Sequence, residues 1–265
     1  MDIKKAENAY FHPTIKRLVQ ISEHAKQITL QDQRYYQRDL GVFYPSVTHV
    51  LSYFPKSKFF ESWTRDVGHN IDIILRKAGE EGTMVHQAID TILRGGEVVW
   101  LEESGHVNYP TDVWRMIVKF ADFWEKHKPV LIASECHLFS DEHKFAGTGD
   151  IICEIKGDIW LIDTKSSNAL HKSFELQTAA YAVAWNETHN VKIDKRGILW
   201  LKSKTRGENK VGNLIQGDGW ILKESSKSLE EDFELFKLAY RLFELENGEK
   251  VPMTEILPTV IKLRN

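Results

Sequence analysis

A chain of 265 residues with 42% hydrophobic content is long enough to bury one large core. A net charge of −3 excludes a globally polycationic nucleic-acid binder, although a local basic groove is compatible with it. Two cysteines, Cys136 and Cys153, without a Cys-x-x-Cys pair exclude a disulfide framework and a four-cysteine zinc or iron–sulfur site. No stretch approaches the ~18 apolar residues of a membrane span, and MDIKKAENAYFHPT has no apolar signal core, so the expectation is a soluble, intracellular (cytoplasmic) protein with no membrane partner.

In chain order, the leucine and valine spacing over 14–26 predicts a short helix. QITLQDQRYYQRDLGVFYPSVT predicts two short strands around an Asp39-Leu40-Gly41 turn. Ser46 follows Pro45 and precedes VTHVLSYF, the position of a helix N-cap. Residues 57–94 predict two or three helices, broken near Gly68 and at Gly79 to Gly82, and 95–111 predict a loop. A helix is expected over 112–127, then strands at 130–139, 145–156 and 159–166. A helix at 173–189, a strand at 195–203, a glycine-rich loop at 204–219 and an amphipathic helix at 227–247 complete the chain. This order predicts a mixed α/β domain with a helical N-terminal layer and a C-terminal helix.

The chemistry concentrates in GTGDIICEIKGDIWLIDTKSS, residues 147–167, an apolar stretch that carries Asp150, Asp163 and Lys165. Gly157-Asp158 between two apolar runs is a hairpin signal. With those two residues as the turn, Asp150 faces Lys165 and Ile152 faces Asp163, so Asp150, Asp163 and Lys165 share one face. The two carboxylates are then diagonal neighbours, roughly 7–8 Å apart at the backbone. Two buried negative charges need compensation, and a hard, oxygen-seeking cation such as Mg²⁺ or Mn²⁺ supplies it. The plain alternative is an Asp163–Lys165 salt bridge at a sheet edge. Asp2-Ile3-Lys4 repeats the Asp-x-Lys letters in a terminus and is set aside; Glu154-Ile155-Lys156 is rejected because Glu154 lies about 13 Å along the strand from Asp150.

Four pieces in order resemble the PD-(D/E)XK nuclease superfamily, and its RecB-like exonuclease branch in particular: GTMVH at 82–86, GD at 149–150, DTK at 163–165 and QTAAY at 177–181. FYPSVTHVLS at 43–52 resembles the lead-in of phage and mitochondrial members of that branch. The resemblance covers about residues 80–202 and implies a catalytic core at 80–203 within a single nuclease domain, between a mainly helical 1–80 and a loop with a C-terminal helix at 204–265. It implies a mixed central sheet flanked by helices and a Mg²⁺- or Mn²⁺-dependent deoxyribonuclease. The substrate would be DNA ends or single strands, in recombination, repair or phage DNA processing; a restriction-type or junction-resolving endonuclease and a non-catalytic nucleic-acid-binding subunit are the rivals. Asp150 and Asp163 would be metal ligands, joined by His86 and the Thr164 carbonyl, and Lys165 would orient the attacking water or neutralise developing charge. Gln177 and Tyr181, i and i+4 on one helix face, would position DNA or Lys165. The cysteine pattern departs from the iron–sulfur members, so no such cluster is expected.

Several further candidates carry a plain reading beside the functional one. Glu135, on the strand before the hairpin, is either a second-metal ligand or an exposed strand residue. Ser46 and Thr48 either hold a phosphate through backbone N–H groups or simply cap a helix. Lys202, Lys204 and Arg206 contact the DNA backbone or form an ordinary solvated run. Tyr35 and Tyr36 in RYY stack bases or fill a strand.

Overall fold

The computed structural model describes residues 34–39, 42–201 and 219–248, together with the backbone of short strands between residues 2 and 33 and at 258–262. The central sheet has five strands: β7 (Val130–Ser140), β8 (Phe145–Ile155), β9 (Asp158–Lys165), β10 (Lys195–Trp200) and β11 (Ile221–Glu224). Their spatial order is β11-β10-β9-β8-β7, antiparallel except for the parallel β9–β10 pair. That parallel pair is joined through helix α5 (Lys172–Thr188), as a parallel connection requires. Strands β7 to β10 and α5 lie where the sequence predicts them; β11, only four residues long, was not predicted.

One face of the sheet carries α5, α1 (Val47–Val50) and α6 (Leu229–Asn247), with Ile152 and Leu161 facing them. The other carries α3 (Ile71–Leu93) and α4 (Thr111–His127) over Ile151, Cys153, Ile155 and Ile162. Helix α4 buries Val113, Met116, Ile117, Phe120 and Phe123, the three-and-four spacing of a one-faced helix. Helix α5 buries nearly every residue from Glu175 to Trp185, because it is covered on both sides. Fully buried Asp232 on α6 accepts from Arg196 at 3.2 Å and Lys172 at 2.8 Å, and Lys172 also reaches Glu175 at 2.6 Å, so charged pairs fix the N-terminal end of α5 against β10 and α6. Ser228 and Glu231 form a capping box on α6.

The expected helix over 14–26 is instead a strand, β3 (Arg17–Ser22), in an N-terminal sheet with β2 (Ala9–His12), β4 (Gln27–Leu30), β5 (Gln33–Asp39) and β6 (Val42–Pro45). Val19 and Ile21 are β-branched, and pairing with β2 and β4 overrides the weak helical spacing. Asp2–Lys5 (β1) pairs with Pro258–Lys262 (β12). Gly68 does interrupt the helices, ending α2 (Lys58–Val67) at a φ of 59°. The break expected at Gly79 to Gly82 does not occur. Both glycines sit inside the continuous 23-residue α3, where a single glycine costs only ~1 kcal/mol. Among the described residues no helix is long and apolar enough to cross a membrane.

Candidate active site

The β8–β9 hairpin turns one residue earlier than the sequence predicts. Lys156 and Gly157 both have positive φ, 55° and 90°, the backbone of a two-residue type I′ turn. The ladder therefore pairs Ile155 with Asp158 and Ile151 with Ile162. Continued by one place, this register sets Asp150 opposite Asp163, not opposite Lys165. A shift of two in pairing preserves side-chain parity, so the corrected register does not by itself separate the three residues. Asp158 is the first residue of β9 and pairs with Lys195 at 2.9 Å.

The ladder stops at Ile151–Ile162, and Asp150 takes over its next bond. Its Oδ2 accepts the Thr164 N–H at 2.7 Å and the Thr164 hydroxyl at 2.9 Å. Glu135 lies opposite Asp150 on β7, between the pairs Ser134–Ile151 and Cys136–Gly149. Its φ of 44° is rare for a non-glycine residue within a strand and costs of order 1–3 kcal/mol. That distortion brings Glu135 to the α3 side, where His86 Nδ1 lies 3.3 Å from Glu135 Oε1 and 3.5 Å from Asp150 Oδ2. His86 also contacts the Thr164 hydroxyl at 3.3 Å. Val85, Ala88 and Ile89 hold this part of α3 on the sheet, whereas Met84 is exposed at 36%. Gly82 is mid-helix, and a Cβ there would meet Ser166 Oγ at an ordinary 3.5 Å, so no close approach depends on it.

Asp163 is fully buried and Lys165 Nζ stands 2.7 Å from its Oδ2. Asp163 Oδ1 has no hydrogen-bond partner. Burial, and then the neighbouring Asp150 carboxylate against the opposing pull of Lys165, leaves Asp163 with a pKa raised to about 6. Burial works to lower Lys165, but Asp163 and Asp150 outweigh it and its pKa is raised, so the lysine is a cation at neutral pH. Burial likewise works to lower His86, and Asp150 followed by the hydrogen bond His86 donates to Glu135 overturns this, raising it to about 9. Ligand atoms of His86, Glu135 and Asp150 lie within 4.8 Å of one another. The Glu135 and Asp150 carboxylates and the His86 imidazole are a donor set that fits a divalent cation, and buried Asp163, with its Oδ1 unpartnered, is near enough to Asp150 to feel its charge. Beside them opens a cleft of about 300 Å³ that Gly79, Glu81, Thr164, Lys165 and Asn168 help to line.

The remaining sequence candidates divide. Gln177 and Tyr181 are buried on α5, and Gln177 Nε2 donates to Tyr181 Oη at 3.0 Å. Ser46 is 1% exposed; its hydroxyl caps His49 N and its own N–H donates to the Arg34 carbonyl, which removes it from any phosphate-binding backbone nest. Thr48 is exposed beside it. Lys202, Lys204 and Arg206 lie outside the described residues. Tyr35 and Tyr36 are 3% and 1% exposed, and Tyr36 Oη bonds Thr148 Oγ1 at 2.9 Å, so they fill the core and do not stack bases. Phe174 was missed: Lys165 Nζ lies 4.9 Å from its ring centroid. The spacing Phe174, Gln177, Tyr181 on one helix face was the available signal.

Gly147 explains part of the GTGD letters. A Cβ there would overlap the Tyr181 ring. Gly147→Ala is therefore expected to destabilise the fold by about 1–3 kcal/mol. Pairing it with Tyr181→Ala should cost less than the sum of the two single substitutions, as a double-mutant cycle by chemical denaturation would show. Additive losses would mean that the ring does not sit against this backbone.

Against known proteins, the likeness is to nucleases. No curated protein matches in sequence. A solved structure from Eubacterium rectale, described as a "Putative exonuclease", aligns at 13% identity over 70% of this chain and 77% of that one, with a TM-score of 0.41. The model of the PD-(D/E)XK nuclease superfamily matches residues 49–256, well over half of the sequence, and the chain belongs to that superfamily.

Proposed function

We propose that this chain is a Mg²⁺- or Mn²⁺-dependent deoxyribonuclease that works as an exonuclease on DNA ends or single strands, in recombination, repair or phage DNA processing. The observation that carries the catalytic part is the Asp163–Lys165 pair at 2.7 Å beside the His86, Glu135 and Asp150 cluster. His86, Glu135, Asp150 and Asp163 would hold the ion, with the Thr164 carbonyl as a further oxygen. A bound divalent cation supplies charge neutralisation and an activated water. Lys165 keeps its proton at neutral pH, so its part is to place positive charge on the phosphate as negative charge develops, not to abstract a proton. Asp163 holds that ammonium in place, and Phe174 closes over it. Asp150 ties the diverging strands through Thr164 while turning its carboxylate toward His86. Gln177 and Tyr181 brace α5 over β8 and so position the site from behind. A non-catalytic subunit would have no need of this complete set.

The test is a digestion panel with Mg²⁺ or Mn²⁺ on linear and closed-circular DNA, single- and double-stranded, labelled at either end. Activity is expected to vanish in EDTA and to release nucleotides from linear substrates only. His86→Ala should raise the metal concentration needed, more for Mn²⁺ than for Mg²⁺, because the imidazole suits the softer ion. Rapid nicking of closed circles would instead make this an endonuclease, and metal-independent cleavage would sink the site assignment.

A further inference from the structure

An unbroken row of rings leads away from the active-site lysine. Lys165 Nζ lies 4.9 Å from the Phe174 centroid, Phe174 packs edge-on against His171 at 5.2 Å, and His171 meets Phe60 at 6.4 Å. Phe60 in turn touches Trp63 at 5.7 Å, and Lys56 Nζ stands 6.0 Å from the Phe60 ring. The row crosses from the start of α5 to α2. None of its four rings is buried: Phe60, Trp63, His171 and Phe174 are all partly exposed. Among the described residues of α2 none is buried either, so these aromatics do not belong to a core that would demand them. Burial, aided by Lys56, holds His171 below the ordinary histidine pKa, which leaves a neutral ring at physiological pH.

Partly exposed aromatic faces bordered by lysines suit a ligand that alternates flat π-surfaces with anions, which is the chemistry of an unpaired strand. A duplex hides its bases in the stack and could use only the cations. We propose that Phe174, His171, Phe60 and Trp63 form a stacking track that holds the unpaired bases flanking the scissile phosphate of a single-stranded nucleic acid, with Lys56 on the phosphates at its outer end. The proposal rests on the nuclease reading above and narrows its substrate to a single strand at the point of entry. It also relocates base stacking from the buried Tyr35 and Tyr36 to α2 and α5.

The test compares binding of the full chain in EDTA to labelled oligothymidylate and to an abasic strand of equal length, which has the phosphates without the bases. Wild type should prefer the thymidylate at least about 5-fold, the lower end for one stacked base. Trp63→Ala should cut thymidylate affinity toward the abasic level and leave abasic affinity where it was. Phe60→Leu combined with Trp63→Leu keeps apolar contacts between α2 and α5 but loses the rings, and it should behave as Trp63→Ala does with an unchanged melting curve. Equal losses on both strands, or a wild type with no base preference, would overturn the track. Cleavage of linear single strands by wild type with Mn²⁺ separates the two levels. If wild type cuts without base preference, the track alone falls; if it neither binds nor cuts, the nuclease reading falls with it.

Discussion

Lys165→Ala is expected to slow phosphodiester cleavage by about 10²–10⁴-fold while DNA affinity changes little. The size follows from where the charge sits. Lys165 is only 17% exposed on its side chain, and it is held 2.7 Å from a fully buried carboxylate. In such a site an ammonium acts at a much lower effective dielectric than in water, so its loss at the transition state is severe. DNA affinity is set mainly by phosphate contacts spread over the surface, which this substitution leaves in place. The alanine variant also strands Asp163, whose Oδ1 already lacks a partner, so a lower melting temperature in EDTA is expected as well. Lys165→Met keeps most of the packing and separates the two effects: it should be equally inactive but less destabilised. Single-turnover rates at saturating metal, beside melting curves, make the measurement. Near wild-type turnover in either variant would remove Lys165 from the chemistry.

In EDTA, the melting temperature is expected to fall between pH 7 and pH 8.5, and millimolar Mn²⁺ is expected to abolish that fall. The sign comes from His86. Its pKa in the folded, metal-free protein is raised to about 9, above its ordinary 6.5. A raised histidine contributes stability that is fully present below pH 6.5 and disappears as pH climbs through 9. His49, His127 and His171 are all lowered, so their titration is complete below this window; Asp163, raised to about 6, is already ionised there; and Cys136 and Cys153, raised by burial to about 12, lower stability only as pH passes their ordinary 9, above it. Since the His86 side chain is 32% exposed, solvent screening trims the effect to about 1–2 kcal/mol, or roughly 3–6 °C. A divalent ion then replaces the lost positive charge, and at 100 times its dissociation constant it adds about 2.7 kcal/mol. In His86→Gln the fall in EDTA should flatten. Asp163→Asn should melt no lower than wild type in EDTA at pH 7.5, because it removes a carboxylate that burial disfavours, and it should lose activity. A pH-independent melt of wild type over this window, or an undiminished fall in His86→Gln, would refute this electrostatic account.

Local pattern was enough to locate the central strands, α4, α5 and α6, because each carries its own periodicity and its own start and stop residues. Ser228 with Glu231, or the alternation of ECHLF, needs no distant partner to be read. That Asp163 and Lys165 meet was legible for the same reason: residues two apart on one strand share a face in any register. The turn itself was not, since Lys156 occupies a positive φ that its residue type does not advertise. Strand β3 was misread because pairing with β2 and β4 supplies energy that no window of its own sequence contains. The fate of Gly79 and Gly82 inside α3, and of Tyr35 and Tyr36 in the core, also turned on packing from elsewhere in the chain. Only the tertiary structure put a strained Glu135 within 3.3 Å of His86, 49 residues earlier, and Phe174 over Lys165. Residue types and spacing determine which chemistry the chain can hold; the bend in β7, the parting of β8 from β9 and the seating of α3 decide which of those groups meet, because contact between distant segments is settled by burial and register, not by local preference.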